Sequence, residues 1–386
     1  MIAALRGDAP AWHSHELEAL RESAHRFFAA EFVPNEERWS TAGCVDREVW
    51  RQVGAMGFLC AGIPAEHGGG GGSLAHEAMI YEAAAKATTV AFGNIVHSGI
   101  VAHYILAYGT PTQQQRWLPR MASGDAVGAV AMTEPGAGSD LKAIGTHAIR
   151  DGDGYVINGS KTFITNALYA DVLLLVAKTD PAAGAKGISL FLLDLAELPG
   201  FRRGRVLDKL GQKTQDTGEL FFDGVRASTQ DILGGTPGCG FAQLMAQLAR
   251  ERLLIAIEAV AMMERAIELT VAHARDRQVF GQRLLELQNT RFKLAECATR
   301  ARTVRTFVDQ AIGLALQERL DPVTASMAKY WASEQLGWVV DECLQLFGGY
   351  GYMTEYPIAR LYANARVLRI YGGANEIMKE LIARAL

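Results

Sequence analysis

The spacing of apolar residues changes twice along this chain, near residue 124 and again near residue 236. Before the first change and after the second, apolar residues recur at the three- and four-residue intervals of amphipathic helices. Between the two changes they form short β-branched and aromatic runs, separated by turn signals such as Asn158-Gly159, a pattern typical of strands. We therefore predict an α+β protein with an N-terminal helical domain (1–124), a middle β domain (125–235) and a C-terminal four-helix bundle (236–386).

The individual elements follow from the same pattern and its breaks. In the first region helical spacing covers 17–32, 49–56 and 76–86, and Gly- or Pro-rich breaks fall at 63–64, 68–72 and 109–111. Strand-like runs cover 155–157, 172–176, 188–193 and 220–222. Long helical segments cover 241–275, 287–317, 322–346 and 375–385. The five-glycine run 68–72 lacks the Lys-Ser/Thr pair of a P-loop, so we interpret it as a loop.

Composition narrows the class of protein. A net charge of −4 over 386 residues argues against nucleic acid as the main partner. No run reaches the roughly 18 apolar residues of a membrane span, and the first residues lack the pattern of a secretory signal, so we expect a cytoplasmic protein. The five cysteines are scattered without a CxxC pair, which favours reduced thiols and predicts no metal site.

Two polar, glycine-rich motifs carry the candidate chemistry. The segment 131–140 combines a hydroxyl, a Pro, two Gly and a Ser-Asp pair, which together allow close approach of backbone amides to a ligand. On its own the segment would favour a tight surface turn, because glycine-rich turns are common. Twenty residues later, 158–166 joins an Asn-Gly turn to the strand-forming residues Thr162, Phe163, Ile164 and Thr165. The two motifs together point to a binding site.

The order of these motifs resembles the flavin-binding middle of the acyl-CoA dehydrogenases. Three further segments, 276–281 (DRQVFG), 345–351 (QLFGGYG) and 370–377 (IYGGANEI), follow in the order and at the spacing of that family. The resemblance implies an FAD-dependent enzyme with helical, β and helical domains. It also implies a homotetramer, a dimer of dimers, in which each subunit completes the flavin site of a neighbour.

The reaction of that family needs a base for the α proton of a thioester, because the flavin supplies only the hydride acceptor. In much of the family the base is a Glu directly after the Tyr of the Ile-Tyr motif, but here Gly372 follows Tyr371. The segment 250–256 (RERLLIA) resembles the helix that carries the catalytic Glu in the long-chain and isovaleryl branches, and the long-chain branch is the closer match. We therefore expect Glu251 to be the base, partly buried and with a raised pKa. The alternative is a solvated residue paired with Arg250 or Arg252.

The resemblance also assigns contacts to the cofactor. Thr165 would bond the flavin N5 edge and Phe163 would cover the ring, although Thr165 is also an ordinary strand residue. Arg277 and Gln288 would contact the pyrophosphate and adenosine end. The complete set of expected cofactor-binding residues is Val130, Met132, Thr133, Gly138, Ser139, Phe163, Ile164, Thr165, Arg277, Phe280, Gln288, Gln345, Leu346, Gly348, Gly349, Ala374, Asn375 and Glu376. Of these, Ala374 replaces the family's Thr and lacks its hydroxyl.

The substrate side is expected to use Ser139, Lys186, Arg252, Tyr371, Gly372 and Gly373. In the family's scheme the Gly372 amide binds the thioester oxygen, whereas Lys186 and Arg252 could equally be surface charges.

The resemblance implies transfer of electrons to electron-transferring flavoprotein in fatty acid β-oxidation. Oxidation of a branched acyl-CoA, a carrier-protein thioester or a nitroalkane, and a flavin-binding relative without activity, are the alternatives. The sequence alone does not predict the acyl chain length.

Overall fold

The N-terminal third of the chain is helical, as predicted. The computed structural model describes residues 2–5 and 7–386. Its first helices are α1 (His15–Glu31), α2 (Glu36–Ala42), α3 (Arg47–Ala55), α4 (Leu74–Ala87), α5 (Ala102–Tyr108) and α6 (Pro111–Ala122). A π-helical turn, Ile95–Val101, leads directly into α5. Side-chain caps set the helix starts: Ser14 accepts the Leu17 amide at α1, and Thr110 with Gln113 forms a capping box at α6.

The middle of the chain folds into one seven-stranded sheet. Its strands are β1 (Val127–Ala131), β2 (His147–Asp151), β3 (Gly154–Thr165), β4 (Ala170–Lys178), β5 (Ile188–Asp194), β6 (Phe201–Val206) and β7 (Thr217–Ser228). The strand order is β1-β4-β2-β3-β7-β6, with β5 paired to β4. The long antiparallel pair β3–β7 has register shifts, one of them between Lys161 and Ile164. This shift is a bulge that redirects the end of β3.

The last third is again helical, with three long helices and two short ones. A small hairpin, β8 (Gln278–Val279) and β9 (Gln282–Arg283), separates the first two long helices, and the elements after the sheet are α7 (Gly240–Asp276), α8 (Gln288–Leu316), α9 (Pro322–Phe347), α10 (Pro357–Ala365) and α11 (Asn375–Ala383). The sequence pattern missed α10, which has only nine residues. The other four helices agree with their predicted bounds to within two residues.

The long helix α7 is where the regions of the chain meet. It packs on α8 and α9 within the last region and on α4 of the first, and its Leu253, Val260 and Ile267 share one buried core with Phe28 and Trp39. Such packing holds the middle of α7 rigidly against three neighbours. No helix in residues 2–5 and 7–386 is long and apolar enough to cross a membrane.

Candidate active site

A cavity of about 500 Å³ lies where the helical regions meet the edge of the sheet. Its wall comes from the π-helical turn, the loop after β1, the end of β3, the middle of α7 and the turn before α11. Thirteen of the residues expected at the site line it: Val130, Met132, Thr133, Gly138, Ser139, Phe163, Ile164, Thr165, Glu251, Arg252, Tyr371, Gly372 and Gly373. The structure therefore brings together motifs that lie up to 243 residues apart in the chain, from Val130 to Gly373.

Glu251 lies in the wall of this cavity and is only 7% exposed. The hydroxyl of Tyr104, on α5, donates a hydrogen bond of 2.8 Å to Glu251 Oε1. Burial raises the pKa of Glu251 to about 7, against the opposing effects of the Tyr104 hydrogen bond and the nearby Arg252 charge. Arg250 does not pair with Glu251; it bonds Glu77 and the Gly99 carbonyl instead. Glu251 is thus a desolvated carboxylate and not a solvated surface residue.

Gly372 faces Glu251's helix from the turn that precedes α11. Its φ of +63° is one that L side chains rarely adopt, and a Cβ added there would collide with Ile255 Cδ1. Within the described part of the chain, neither the Gly372 nor the Gly373 amide donates a hydrogen bond. These amides are free donors at the cavity wall, which is the chemistry an oxyanion requires.

The end of β3 forms the opposite wall. Its bulge places Phe163 at φ +60° with 67% of the side chain exposed toward the open cavity. Thr165, two residues on, accepts a hydrogen bond of 3.3 Å from Gln215 Nε2 and also lines the cavity. A flat aromatic ring and a hydroxyl therefore line the same wall of the cavity, as residues two apart in a strand face the same side.

A buried ion pair joins the two glycine-rich motifs. Lys161 Nζ donates to Glu134 Oε1 at 2.8 Å and to the Met132 carbonyl at 2.9 Å. Glu134 also accepts the Thr146 amide at 2.9 Å. Burial lowers the pKa of Lys161 to about 8, although Glu134 acts in the opposite direction. This pair holds the loop after β1 against β3, and neither residue was among those expected at the site.

A second group of expected residues meets elsewhere. Arg277, Gln345, Leu346, Gly348 and Gly349 line a separate pocket of about 620 Å³, together with His273 and Tyr350. The two pockets share no lining residue. Phe280, 95% exposed, and the exposed Gln288 lie near this second pocket in sequence but do not line it.

The remaining expected residues lie outside the cavity. Lys186 is exposed in the loop Pro181–Gly187. Ala374 immediately precedes α11, and Glu376 in its first turn is exposed. The Asn375 side chain is buried and accepts hydrogen bonds from Lys329 and Ser333 at 2.9 and 3.2 Å. Any contact from Asn375 to a ligand would therefore come from its backbone.

Arg252 differs from Lys186 in being buried at the cavity wall, with 5% exposure. It donates to Ser326 Oγ at 3.2 Å, while its Nε has no partner in the described residues. A buried donor without a partner is costly, which makes Arg252 a fitting contact for an anionic or carbonyl group of a ligand.

Comparison with known proteins now identifies the family. Three family models match in succession: acyl-CoA dehydrogenase N-terminal domain over residues 14–125, middle domain over 129–225 and C-terminal domain over 238–386. The chain belongs to the acyl-CoA dehydrogenase family. It is 46% identical to the mitochondrial long-chain specific acyl-CoA dehydrogenase of Rattus norvegicus over 375 residues, which are 97% of this chain and 87% of that protein.

Solved structures of acyl-CoA dehydrogenases have the same fold. The crystal structure of an acyl-CoA dehydrogenase from Geobacillus kaustophilus matches with a TM-score of 0.95 and 41% identity, covering 98% of this chain and 99% of that one. A glutaryl-CoA dehydrogenase from Mycobacterium smegmatis, solved in complex with FADH2, matches with a TM-score of 0.88 and 26% identity, covering 97% and 95%. Both the resemblance to this family and the predicted fold are confirmed.

Members of this family of dehydrogenases use FAD, and the cavity suits that cofactor. The backbone amides of Gly138 and Ser139 donate no hydrogen bond within the described residues, so they are available to carbonyl or phosphate oxygens. A Cβ at Gly138 would meet nothing within 4 Å, so the backbone there is open to a ligand. Phe163 adds an aromatic face and Thr165 a hydroxyl.

Besides Lys161 and Glu134, two further polar residues at the acyl-CoA dehydrogenase site were not predicted. Tyr104 reaches Glu251 from 147 residues away. Glu258, seven residues after Glu251 on α7, lines the same cavity and accepts a hydrogen bond of 3.1 Å from the Tyr371 hydroxyl. Helical spacing puts Glu251 and Glu258 on one face of α7, and this spacing is the signal that could have revealed Glu258. No cluster of three or more metal-ligating side chains occurs in residues 2–5 and 7–386.

Proposed function

We propose that this protein oxidises a fatty acyl-CoA thioester to the trans-2-enoyl-CoA, with Glu251 as the base that removes the α proton. The observation that carries the proposal is the desolvated Glu251 carboxylate, whose pKa of about 7 suits proton abstraction near neutral pH. It lines the same cavity as the free amide of Gly372. Base and oxyanion donor therefore face one ligand-sized space.

Each residue then has a defined task. Tyr104 occupies Oε1 of Glu251, which leaves Oε2 to accept the α proton. The Gly372 amide would stabilise negative charge on the thioester oxygen, a contribution of a few kcal/mol for one well-placed donor. The free amides at 138–139, with Phe163 and Thr165, would hold the isoalloxazine end of FAD. When bound there, FAD accepts the β hydride.

Substitution of Glu251 tests this assignment. Glu251→Gln keeps the shape of the side chain but cannot accept the proton, so we expect the rate of flavin reduction to fall by at least about 10²-fold. The measurement is anaerobic bleaching of the oxidised flavin after rapid mixing with an acyl-CoA. Glu268→Gln, on the same helix but outside the cavity, is the matched control and should reduce at the wild-type rate. Wild-type bleaching in Glu251→Gln would contradict the proposal.

The similarity to a long-chain specific enzyme supports a long acyl chain, and we propose a place in fatty acid β-oxidation. Electron-transferring flavoprotein is the proposed acceptor, because the sequence has no nicotinamide-binding fingerprint. A series of saturated acyl-CoAs of increasing length, assayed with that flavoprotein, tests both points. Fast turnover with oxygen alone, giving stoichiometric peroxide, would exclude the proposed acceptor.

The second pocket supports an oligomer with shared sites. Arg277 and Gln345–Gly349 line a pocket that shares no residue with the Glu251 cavity, and the family resemblance implies that Gln345–Gly349 complete the flavin site of a neighbouring subunit. We propose that this pocket holds the pyrophosphate and adenosine end of the FAD of a neighbouring subunit. In that arrangement the homotetramer is required for complete sites.

A further inference from the structure

Glu258 is a second, partly buried carboxylate that lines the cavity, and the proposed reaction does not use it. It lies on the cavity face of α7, with Ile255 between it and Glu251. Burial raises the pKa of Glu258 to about 7, although the hydrogen bond from Tyr371 opposes this. Burying a carboxylate costs free energy unless it is well bonded, so its presence in a mainly apolar wall needs an explanation.

The hydrogen bond of Glu258 leads directly to the turn that carries Gly372. The Tyr371 hydroxyl donates to Glu258 Oε2 at 3.1 Å, and Tyr371 is the residue immediately before Gly372. On the other side of the turn, Lys329 Nζ donates to the Gly373 carbonyl at 2.7 Å. The turn is thus held at one end by α7 and at the other by α9.

The Tyr371 amide bonds the Val367 carbonyl at 3.1 Å, but the two glycines that follow need further support. Both glycines have positive φ, +63° at Gly372 and +90° at Gly373, and their amides donate no hydrogen bond within the described residues. Glycines are the residues with the most conformational freedom. The direction of the Gly372 N–H therefore depends on what holds its neighbours.

We propose that Glu258 is a positioning residue that acts through Tyr371 to aim the Gly372 amide at the carbonyl oxygen of the bound thioester. This inference rests on the proposed function, in which that amide binds that oxygen. Glu258 itself need not touch the substrate. Removing the Glu258–Tyr371 contact should weaken recognition of the carbonyl oxygen selectively and leave recognition of the rest of the ligand unchanged.

A pair of ligands isolates this effect. One is a saturated acyl-CoA thioester and the other is the S-alkyl-CoA thioether of the same length, which has no carbonyl oxygen. Both are titrated against the FAD-loaded Glu251→Gln protein, in which turnover is blocked, and the dissociation constants are read from the flavin spectrum. Adding Glu258→Leu should weaken thioester binding about tenfold, which corresponds to about one hydrogen bond. Thioether binding should change less than about twofold.

Further variants test whether the effect runs through Tyr371. Tyr371→Phe should reproduce the selective loss, and Glu258→Leu combined with Tyr371→Phe should lose no more than either alone, because both break one contact. Glu258→Gln still offers an oxygen to the Tyr371 hydroxyl and should restore thioester binding. Glu268→Leu, on α7 outside the cavity, is the control and should bind both ligands as the parent does.

Three results would overturn the proposal: equal loss of thioester and thioether, losses that simply add, or a Gln variant as weak as the Leu variant. A wrong assignment of Glu251 as the base would give a different result: the flavin of Glu251→Gln would bleach at the wild-type rate on addition of an acyl-CoA. If Glu258→Leu did not fold, Tyr371→Phe alone would still test the proposal. The test is then whether this variant raises the dissociation constant of the thioester relative to that of the thioether.

Discussion

Glu251 shows how a single side chain acquires its reactivity from its surroundings. Its carboxyl has an ordinary pKa of 4.5 and, in the fold, one of about 7, mainly because burial penalises the charged form. Tyr104 works in the opposite direction by bonding the ionised carboxylate. The proposed base is therefore basic enough to accept a proton yet still substantially ionised near pH 7. The rate of flavin reduction by an acyl-CoA should therefore rise as the pH increases through about 7.

Tyr104→Phe should move this pH dependence upward. Without the hydroxyl, the ionised form of Glu251 loses a hydrogen bond and its pKa rises further. The rising limb of the reductive rate should shift by about one pH unit, which is about 1.4 kcal/mol and within reach of a bond to a charged group. Rapid-mixing flavin reduction from pH 6 to 10 measures it. An unshifted limb would mean that Tyr104 does not tune Glu251.

The sequence predicted Glu251 but not Tyr104, Glu134, Lys161 or Glu258. Glu251 could be found because its segment resembles a known catalytic helix and because Gly372 leaves the usual position empty. Tyr104 and Lys161 act through contacts with residues distant in the chain, and no local pattern encodes such a pairing. The supporting residues become visible only when the fold brings α5, β3 and α7 to one cavity.

At the level of elements, α7 and the turn before α11 pack against each other in a way that disfavours a side chain at residue 372, where much of the family carries its base. Ile255 Cδ1 occupies the space that a Cβ at Gly372 would need, and the φ of +63° disfavours any side chain there. A side chain at 372 would therefore need a strained backbone and a shift of the Ile255 side chain. Glycine at 372 and the packing of Ile255 against it are consistent with the proposed base lying at Glu251.

Moving the carboxylate back should fail for the same reason. The double variant Glu251→Ala, Gly372→Glu should reduce its flavin at least about 10²-fold more slowly than wild type, the range for loss of a general base. Adding Ile255→Ala removes the clash, leaving a left-handed backbone cost of about 1–2 kcal/mol, so part of the rate should return. Full activity in the double variant would show that Ile255 imposes no such constraint.

The long helices were predictable to within two residues at their ends because each has sustained periodicity and clear stop signals. The helix α10 was missed because its nine residues give only a weak periodic signal and it lies between the recognised motifs, whereas the equally short α11 overlaps the motif 370–377. The bulge in β3 was not predictable either, since a strand-forming Phe gives no indication that it will adopt a positive φ. Yet that bulge shapes one wall of the cavity.

At the level of the whole molecule, the expected cofactor contacts divide into two surfaces that a single chain keeps apart. The sequence-based expectation that each chain contributes to a neighbour's site accounts for this division. Sharing of sites between subunits can be tested with oligomers that contain two different variants. Each complete site would combine Glu251 of one subunit with Arg277 of another.

Two inactive variants should therefore restore each other. Glu251→Gln lacks the base and Arg277→Ala lacks the proposed contact to FAD, but a mixed oligomer contains sites with Glu251 from one chain and Arg277 from the other. Unfolding and refolding the two together with FAD should give activity well above the mean of the separately refolded variants. Activity equal to that mean would contradict sharing of sites between subunits.

The helix α7 links these two surfaces mechanically. It runs for 37 residues without an interior Gly or Pro, about 55 Å at the usual rise, and Arg277 follows its last residue. In the proposed oligomer, a displacement imposed at Arg277 by the cofactor of one subunit would be transmitted along this unbroken helix toward Glu251 in the cavity of the other. In oligomers with FAD in only half of their sites, the rate of flavin reduction at an occupied site should then differ from the rate in oligomers with FAD in every site.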